Sequence, residues 1–467
     1  MEHTRLGYWI EEAGDVTPRP PLDEDRDADL LIVGGGYTGM WTAWHAHRLA
    51  PEARIVLLES EPVCGRGPSG RNGGFCEAMW TSLASMRARW GDAAALAVAT
   101  ASEEAALRIA GFCAEEGVDA WYRQGGYLQV STSPAHDGVD AAAIRACEEL
   151  GVPGKVREVS AAEVQERCAS PAFRAGAMEP VTATLQPARL ALGLRRRLIE
   201  EGVDIYESSP VRRFREAPDG VVATVATGSR VRAPRGVLAI GPAAKAAGGP
   251  LRTRLTVASS HIVITEPVPD VIEKLGWDGG EAITDGRSLV HYFRTTPDGR
   301  IAFGWGGGRI MMGAHLHGRA EVDPGVVATQ RGHLLDYFPD LAGRRLTHAW
   351  GGPIDASPIH LPAVTSLPRS RAWVAAGYTG NGVGPTNMVG LTLASLALDR
   401  TDAPTRLAFV DAQIPRVPPE PLHWLGGESI RLAIAKKEEA EMDDRRPARL
   451  ASAIAKVPKL LGFHIGR

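Results

Sequence analysis

The sequence predicts an α/β (α+β) chain in which a doubly wound domain is interleaved with a domain built on an antiparallel sheet. Three observations carry this expectation. An apolar run, a glycine turn, a helical stretch and a second apolar run follow one another between Leu30 and Leu58. The middle of the chain, residues 255–305, is dense in short strand patterns. Near the end, Arg371 to Leu398 returns to strand, glycine loop and helix. A βαβ opening and a late return to the same pattern enclose the strand-rich middle, so the two domains interleave.

Composition narrows the class. The 467 residues are 44% hydrophobic and 23% charged, ample for a buried core. A net charge of −3 argues against a nucleic-acid binder, which needs clustered cations to neutralise phosphates. Five cysteines, none in a CxxC pair, suit neither a disulfide scaffold nor structural zinc, and no metal site is expected. Glu11, Glu12 and Asp15 interrupt the only apolar stretch near the N-terminus, so no signal peptide is read there. No apolar run reaches the roughly 18 residues of a membrane span. A cytoplasmic enzyme is the expectation, and association into a homo-oligomer stays open.

The elements follow in order. Residues 1–28, with Pro18, Pro20 and Pro21, read as an ordered arm or a tether. Leu30 to Val33 is continuously apolar, as in a strand buried on both faces, and a helix from Thr38 to Leu49 leads to a strand at Arg54 to Leu58. Residues 92–117 are helical in period, Gly126 to Ser131 alternates as a strand, and 137–151 and 161–168 read as helices, the second capped by Ser160. Pro187 to Glu201 is a helix ended by Gly202, followed by a strand at Asp204 to Tyr206 and an extended piece from Val211. Residues 221–240 suggest a hairpin feeding a buried strand. VASSHIVIT, SLVHYF and RIAFGW are strands separated by turns such as Pro297-Asp298-Gly299. The tail is Pro-rich to Pro421 and then charged and helix-like. Its last twenty residues hold Arg449, Lys456, Lys459 and Arg467 and no acid, and docking on the protein or a partner subunit is expected over a membrane surface.

Gly34-Gly35-Gly36-Tyr37-Thr38-Gly39 fits GxGxxG with Gly34, Gly36 and Gly39 in the three places. The context is right: a buried strand before it, a helix after it, and Glu59 ending the next strand twenty residues beyond Gly39. Gly34 permits the tight turn, Gly36 admits a pyrophosphate to the backbone, and Gly39 lets helix and strand pack. The helix N-terminus then offers N–H groups and partial positive charge to phosphates. The loop therefore predicts a dinucleotide site.

A second glycine-rich loop, residues 65–74, follows the acid almost at once. A nicotinamide enzyme normally continues there into an ordinary helix, whereas a long loop can wrap a larger flat cofactor. Gly377-Tyr378-Thr379-Gly380-Asn381-Gly382-Val383-Gly384-Pro385 then links the late strand to a helix. Such a helix aims its positive end at the flavin edge where charge gathers on reduction. The two loops together point to FAD. Of the 53 glycines, many crowd into windows 34–39, 65–74, 304–313 and 377–390.

At these residues the sequence resembles the D-amino-acid oxidase and sarcosine oxidase superfamily of FAD-dependent oxidoreductases. SGRNGG after the acid, DGR with HYFR, GRIAFGW, and W-G-G-P-I-D with AAGYTGNGVG look most like its γ-glutamylputrescine oxidoreductase branch. The resemblance covers roughly residues 25–400. It implies a Rossmann-like FAD-binding domain and an antiparallel sheet covering the isoalloxazine, backbone contact to adenine near Val211, and a strand end at Gly241 beside the cofactor. The expected cofactor residues are Gly34, Gly36, Tyr37, Thr38, Gly39, Glu59, Ser60, Arg66, Ser69, Gly70, Arg71, Asn72, Gly73, Gly74, Val211, Gly241, Gly377, Tyr378, Gly380, Asn381, Gly382, Val383 and Thr386. Domain limits follow: an N-terminal arm at 1–28; an FAD-binding domain at 29–118, 152–250 and 346–405; a substrate-binding domain at 119–151 and 251–345; and a C-terminal extension at 406–467.

Two departures from the family pattern matter. Relatives that attach FAD covalently use a His near the second glycine loop or a Cys near the C-terminal one. That loop has no His here, no Cys follows Cys168, and Cys64 and Cys76 do not align with the attachment residue, so noncovalent FAD is expected. The lysine that pairs the substrate carboxylate in sarcosine oxidase matches Gly384, and its oxygen-activating lysine matches Ala302.

The implied reaction oxidises a C–N bond of an amine or amino acid by hydride transfer to flavin N5. It gives an imine that hydrolyses to aldehyde or keto acid, with O2 (yielding H2O2) or another acceptor taking the electrons. Such chemistry needs a held C–H and excluded water more than a strong base. The alternative is a flavin dehydrogenase of a 2-hydroxy acid or polyol phosphate, which would need a base such as a His over the flavin. Tyr292 and Arg294 share one face of SLVHYFR, with His291 and Phe293 on the other. Tyr292, Arg294 and Trp305 are the substrate-facing candidates, aromatic groups being suited to box an ammonium.

Overall fold

The computed structural model describes residues 2–4, 6–368, 370–460 and 462–463. Strand β1 (Leu30–Val33) passes through the glycine turn into helix α1 (Tyr37–Leu49) and then strand β2 (Ile55–Leu58). The two strands are parallel, Leu30 opposite Ile55 and Val33 opposite Leu58, and every residue of both is buried. Alternation explains the unbroken apolar runs. Leu30, Ile32, Ile55 and Leu57 pack toward helices. Leu31, Val33, Val56 and Leu58 pack on Val221, Ala223 and Val231 of a smaller sheet on the other face.

The covering sheet is built mainly from the middle of the chain. Its central strands are β3 (Thr256–Thr265), β4 (His291–Thr295), β5 (Ile301–Trp305) and β6 (Leu346–Ala356). Among the described residues it has nine strands, in the order Glu2–His3, β6, β3, β5, β4, Ala282–Asp285, Tyr127–Val130, Gly176–Glu179 and Arg157–Val159. One face packs Val263, Phe293 and Phe303 on Tyr337 and Phe338. The other carries Ile262, Ile264, Tyr292, Ala302 and Trp350 and receives Trp9.

Strand β7 (Ala372–Ala376) then returns to the first sheet and feeds helix α2 (Val383–Ala397). That sheet runs Asp204–Tyr206, β2, β1, Arg235–Leu238, β7, Ala363–Ser366, all parallel except the last pair. Helices α3 (Leu422–Met442) and α4 (Arg449–Leu460) close the chain. They dock on the protein: Ile310 N–H donates to Glu428 at 2.6 Å and Ser288 N–H to Glu438 at 2.6 Å. Arg467 lies outside the described residues.

Several elements depart from the sequence reading. Residues 157–159, 176–179 and 346–356, expected on the FAD-binding side, contribute strands to the nine-stranded sheet. The N-terminal arm holds a helix, Tyr8–Ala13, whose Trp9 is fully buried. A helix at Pro324–Tyr337, N-capped by Asp323, was not expected. Within SLVHYF, the ladder begins only at His291.

Candidate active site

Three segments remote in sequence converge where α1 and α2 begin. Gly36 N-caps α1 and Gly382 N-caps α2, neither with a side-chain cap, so both helix ends keep N–H donors for an incoming group. The loops are tied together by hydrogen bonds. Tyr37 N–H donates to Ser69 Oγ at 2.8 Å, and Thr38 Oγ1 and Tyr378 OH are 2.8 Å apart. Gly65 N–H donates to the Gly35 carbonyl at 2.9 Å. Asn72 braces the second loop, accepting from Gly74 N–H at 2.7 Å and donating to the Ser69 carbonyl at 2.8 Å.

These loops border a cleft of about 300 Å³. Gly34, Gly36, Tyr37, Thr38, Glu59, Ser60, Ser69, Arg71, Asn72, Gly241, Tyr378, Gly380, Gly382, Val383 and Thr386 line it. Gly73 and Asn381 line an adjoining inner pocket of about 130 Å³, which Arg71, Asn72, Gly380 and Val383 share. Six expected contacts lie outside both. A Cβ on Gly39 would stand 1.9 Å from the Gly34 carbonyl oxygen, so Gly39 serves helix–strand packing, as its place in the fingerprint implies. Gly70, Gly74 and Gly377 are likewise packed on neighbouring atoms: Gly65 O, Leu185 O and the Ser357 side chain. Arg66 pairs with Asp15 at 3.6 Å, and Val211 sits opposite Val225 in a hairpin.

Glu59 points back into the first turn. Its carboxylate accepts from Gly35 N–H at 2.6 Å and from Glu61 N–H at 2.7 Å, and burial raises its pKa. Sequence reasoning missed Asp355 as a site residue, although the W-G-G-P-I-D motif contains it. Asp355 lines the cleft, accepts from Gly377 N–H at 2.6 Å, and burial lifts its pKa to about 6. Glu321, also missed, pairs with Arg71 at 3.3 Å where both are buried.

The inner pocket is roofed by the nine-stranded sheet. Tyr292 lies flat over β5 because Gly304, opposite it in register, has no side chain; a Cβ there would be 2.0 Å from the ring. Spanning that strand, Tyr292 OH reaches Ser260 Oγ on β3 at 2.7 Å, and burial pushes its pKa up to about 12. Phe75 meets the Tyr292 ring edge-on, centroids 6.0 Å apart. Ser260, another residue missed, could have been found by carrying the alternation of VASSHIVIT across to its neighbours. Glu77 is the one carboxylate, and no histidine appears, among the described residues lining this pocket.

Two substrate-facing expectations are corrected. Trp305 is opposite His291 in the β4–β5 register and so shares its face, away from Tyr292. Its ring stacks on His291 at 5.7 Å, and its indole N–H donates to the Leu289 carbonyl at 3.0 Å. Arg294 is on the expected face but is only 2% exposed. Its guanidinium donates to the carbonyls of Leu185 and Gly74 and lies 5.5 Å from the Trp9 ring, which makes it an internal brace.

With this geometry in view, residues 29–396 match the family model described as DAO, FAD dependent oxidoreductase. The chain belongs to the DAO family of FAD dependent oxidoreductases. It is 27% identical over 416 residues to a probable oxidoreductase OrdL of Rhizobium meliloti (strain 1021), covering 85% of this chain and 89% of the relative. It is 25% identical over 434 residues to the gamma-glutamylputrescine oxidoreductase of Escherichia coli (strain K12), covering 92% and 95%. Among solved structures, glycine oxidase from Geobacillus kaustophilus superposes with a TM-score of 0.66 at 19% identity, over 81% of this chain and 96% of that one. That likeness shows the fold.

The cleft fits the family's cofactor. Side chains at Gly34 and Gly39 would collide with backbone at 2.3 and 1.9 Å, so the fingerprint turn exists only with glycine. Both helix N-termini and the Glu59 carboxylate border the same space, as a dinucleotide's phosphates and ribose require. None of the five cysteines lines the cleft or the inner pocket, and all are buried. Among the described residues no helix is long and apolar enough to cross a membrane.

Proposed function

We propose that this protein oxidises a C–N bond of an amine or amino acid, releasing an imine that water converts to an aldehyde or keto acid. The observation that carries the reading is the lining of the inner pocket: Glu77, Phe75 and Tyr292, with Arg71 paired to Glu321 at 3.3 Å and no histidine among the described residues. A carboxylate beside two aromatic rings favours a substrate ammonium. Alcohol oxidation needs a base at the carbinol; His291 sits behind the sheet, bonded to Asp285 at 2.7 Å, and His317, on the outer cleft, pairs with Glu321 at 3.3 Å. When bound, FAD accepts the two electrons and the hydrogen leaving the carbon beside nitrogen, and O2 or another acceptor takes them on, giving H2O2 where it is oxygen.

In this reading the lining glycines with Thr38, Ser69, Asn381 and Thr386 hold FAD without a covalent bond, and Glu59 receives its ribose. Tyr292 and Ser260 position the substrate and exclude water, and Glu77 attracts its ammonium. The six-stranded sheet with its helices forms the cofactor domain and the nine-stranded sheet the substrate domain. Five buried free cysteines suit a reducing cytoplasm.

Anaerobic mixing of the yellow protein with panels of amines, amino acids and hydroxy acids tests the reaction. Amines or amino acids are expected to bleach the flavin; bleaching by hydroxy acids alone would overturn the reading. Acid precipitation is expected to release all the flavin, and colour kept in the pellet would show a covalent bond.

A further inference from the structure

Beyond the inner pocket lies a second chamber of about 390 Å³, assigned to no step above. Val290, Gly306, Ile354, Thr379 and Asn381 line both, so the two cavities adjoin. Its floor is the sheet and the 288–290 loop. Its roof is the C-terminal extension, contributed by Leu422, Ile430, Ile434, Val457 and Phe463. The roof lies wholly beyond the family match, which ends at residue 396.

The roof is fastened by specific bonds. Glu428 accepts from Ile310 N–H, and Glu438 accepts from Ser288 N–H, each at 2.6 Å. Arg431 donates to the Gly307 carbonyl at 3.2 Å, and His423 Nε2 lies 2.9 Å from Thr256 Oγ1. These anchors also remove charge from the interior. No carboxylate lines the chamber among the described residues, and its one guanidinium, Arg431, pairs with Glu428 at 2.8 Å. A second ammonium on a substrate would be stripped of water there without a carboxylate partner, at high cost.

We infer that this chamber binds the apolar tail of the amine substrate, an alkyl or aryl group, and that the C-terminal helices select for it. This rests on the amine reading above. A cavity of about 150 Å³ lined by aliphatic and aromatic side chains accepts benzene. By that measure the chamber takes an alkyl chain of about eight carbons or a bicyclic aryl group. Ile430, projecting from α3 into the chamber, is the specificity-determining residue. A diamine or a short amino acid leaves the chamber's apolar wall unsatisfied.

The test is binding of straight-chain alkylamines, propyl to decyl, to the holoprotein, read from the perturbed visible flavin spectrum so that turnover is not required. Kd is expected to fall about fourfold per added methylene until the chamber is full. Ile430→Trp, which fills the space from a helix, should flatten the series at least tenfold at octylamine while leaving propylamine unchanged. Ala258→Leu fills it from the floor and serves if the first variant lacks native circular dichroism. A Kd independent of chain length, or the same slope in both variants, would overturn the inference. Flavin bleaching in the same cuvettes reports separately on the reaction. Tight, length-dependent binding without bleaching by any amine would uphold the chamber and sink the amine reading.

Discussion

A methyl group at Gly304 would stand 2.0 Å from the Tyr292 ring, so Gly304→Ala must turn Tyr292 off Ser260. The expected cost is about 1–3 kcal/mol in stability, as for other overpacked sites. A fall of about tenfold in kcat/KM should accompany it, equivalent to about 1.4 kcal/mol. Urea denaturation and steady-state assay check both, and unchanged kinetics would remove Tyr292 from the site. Asp355 makes a pH-dependent prediction. Burial raises its pKa to about 6, so the fold favours the neutral acid. Its contribution to stability is present below the unfolded value near 4 and is lost as pH rises through about 6. The stability of the wild type relative to Asp355→Asn should therefore fall by up to about 3 kcal/mol between pH 4 and 8. At this scale the sequence was only half readable. The alternation of HYFR placed Tyr292 and Arg294 on one face. It could not say that Trp305 would register against His291, nor that Arg294 would be spent bracing Gly74 and Leu185. Register between strands is a tertiary fact.

At the scale of elements, α2 tests the family pattern. The resemblance matches Gly384 to the carboxylate-pairing lysine expected of sarcosine oxidase, yet a Cβ there would meet the Glu77 carbonyl oxygen at 2.1 Å. Gly384→Lys is therefore expected to lose about 2–4 kcal/mol and some bound flavin. Thermal unfolding and flavin content measure this, and a stable variant with a gained affinity for short amino acids would contradict it. Elements that obey local rules were legible: β1, α1 and β2 from apolar runs around a glycine turn, and the helix at Ala161–Arg167 from its Ser160 cap, which accepts Glu163 N–H. Strand β6 was hidden by Gly351, Gly352 and Pro353. Among the described residues its outer neighbour pairs at His348 and Ala349, so Pro353 sits beyond that pairing, where a missing N–H costs nothing.

For the whole molecule, a cofactor sheet and a covering sheet, each assembled from distant segments, meet along one cleft, and the glycine loops at residues 34–39, 65–74 and 377–384 are the seam. The interleaving was visible as strand–glycine–helix patterns at both ends of the chain. The ownership of residues 157–159, 176–179 and 346–356, and the roof formed by α3 and α4, were not, because both depend on long-range packing that carries no local period. The central claim is that chemistry at this seam breaks a C–N bond. Its most direct test is product stoichiometry in an anaerobic single turnover with the best amine found. One carbonyl and one released amine or ammonia per flavin reduced is the predicted result; a carbonyl formed with no nitrogen released would contradict the account.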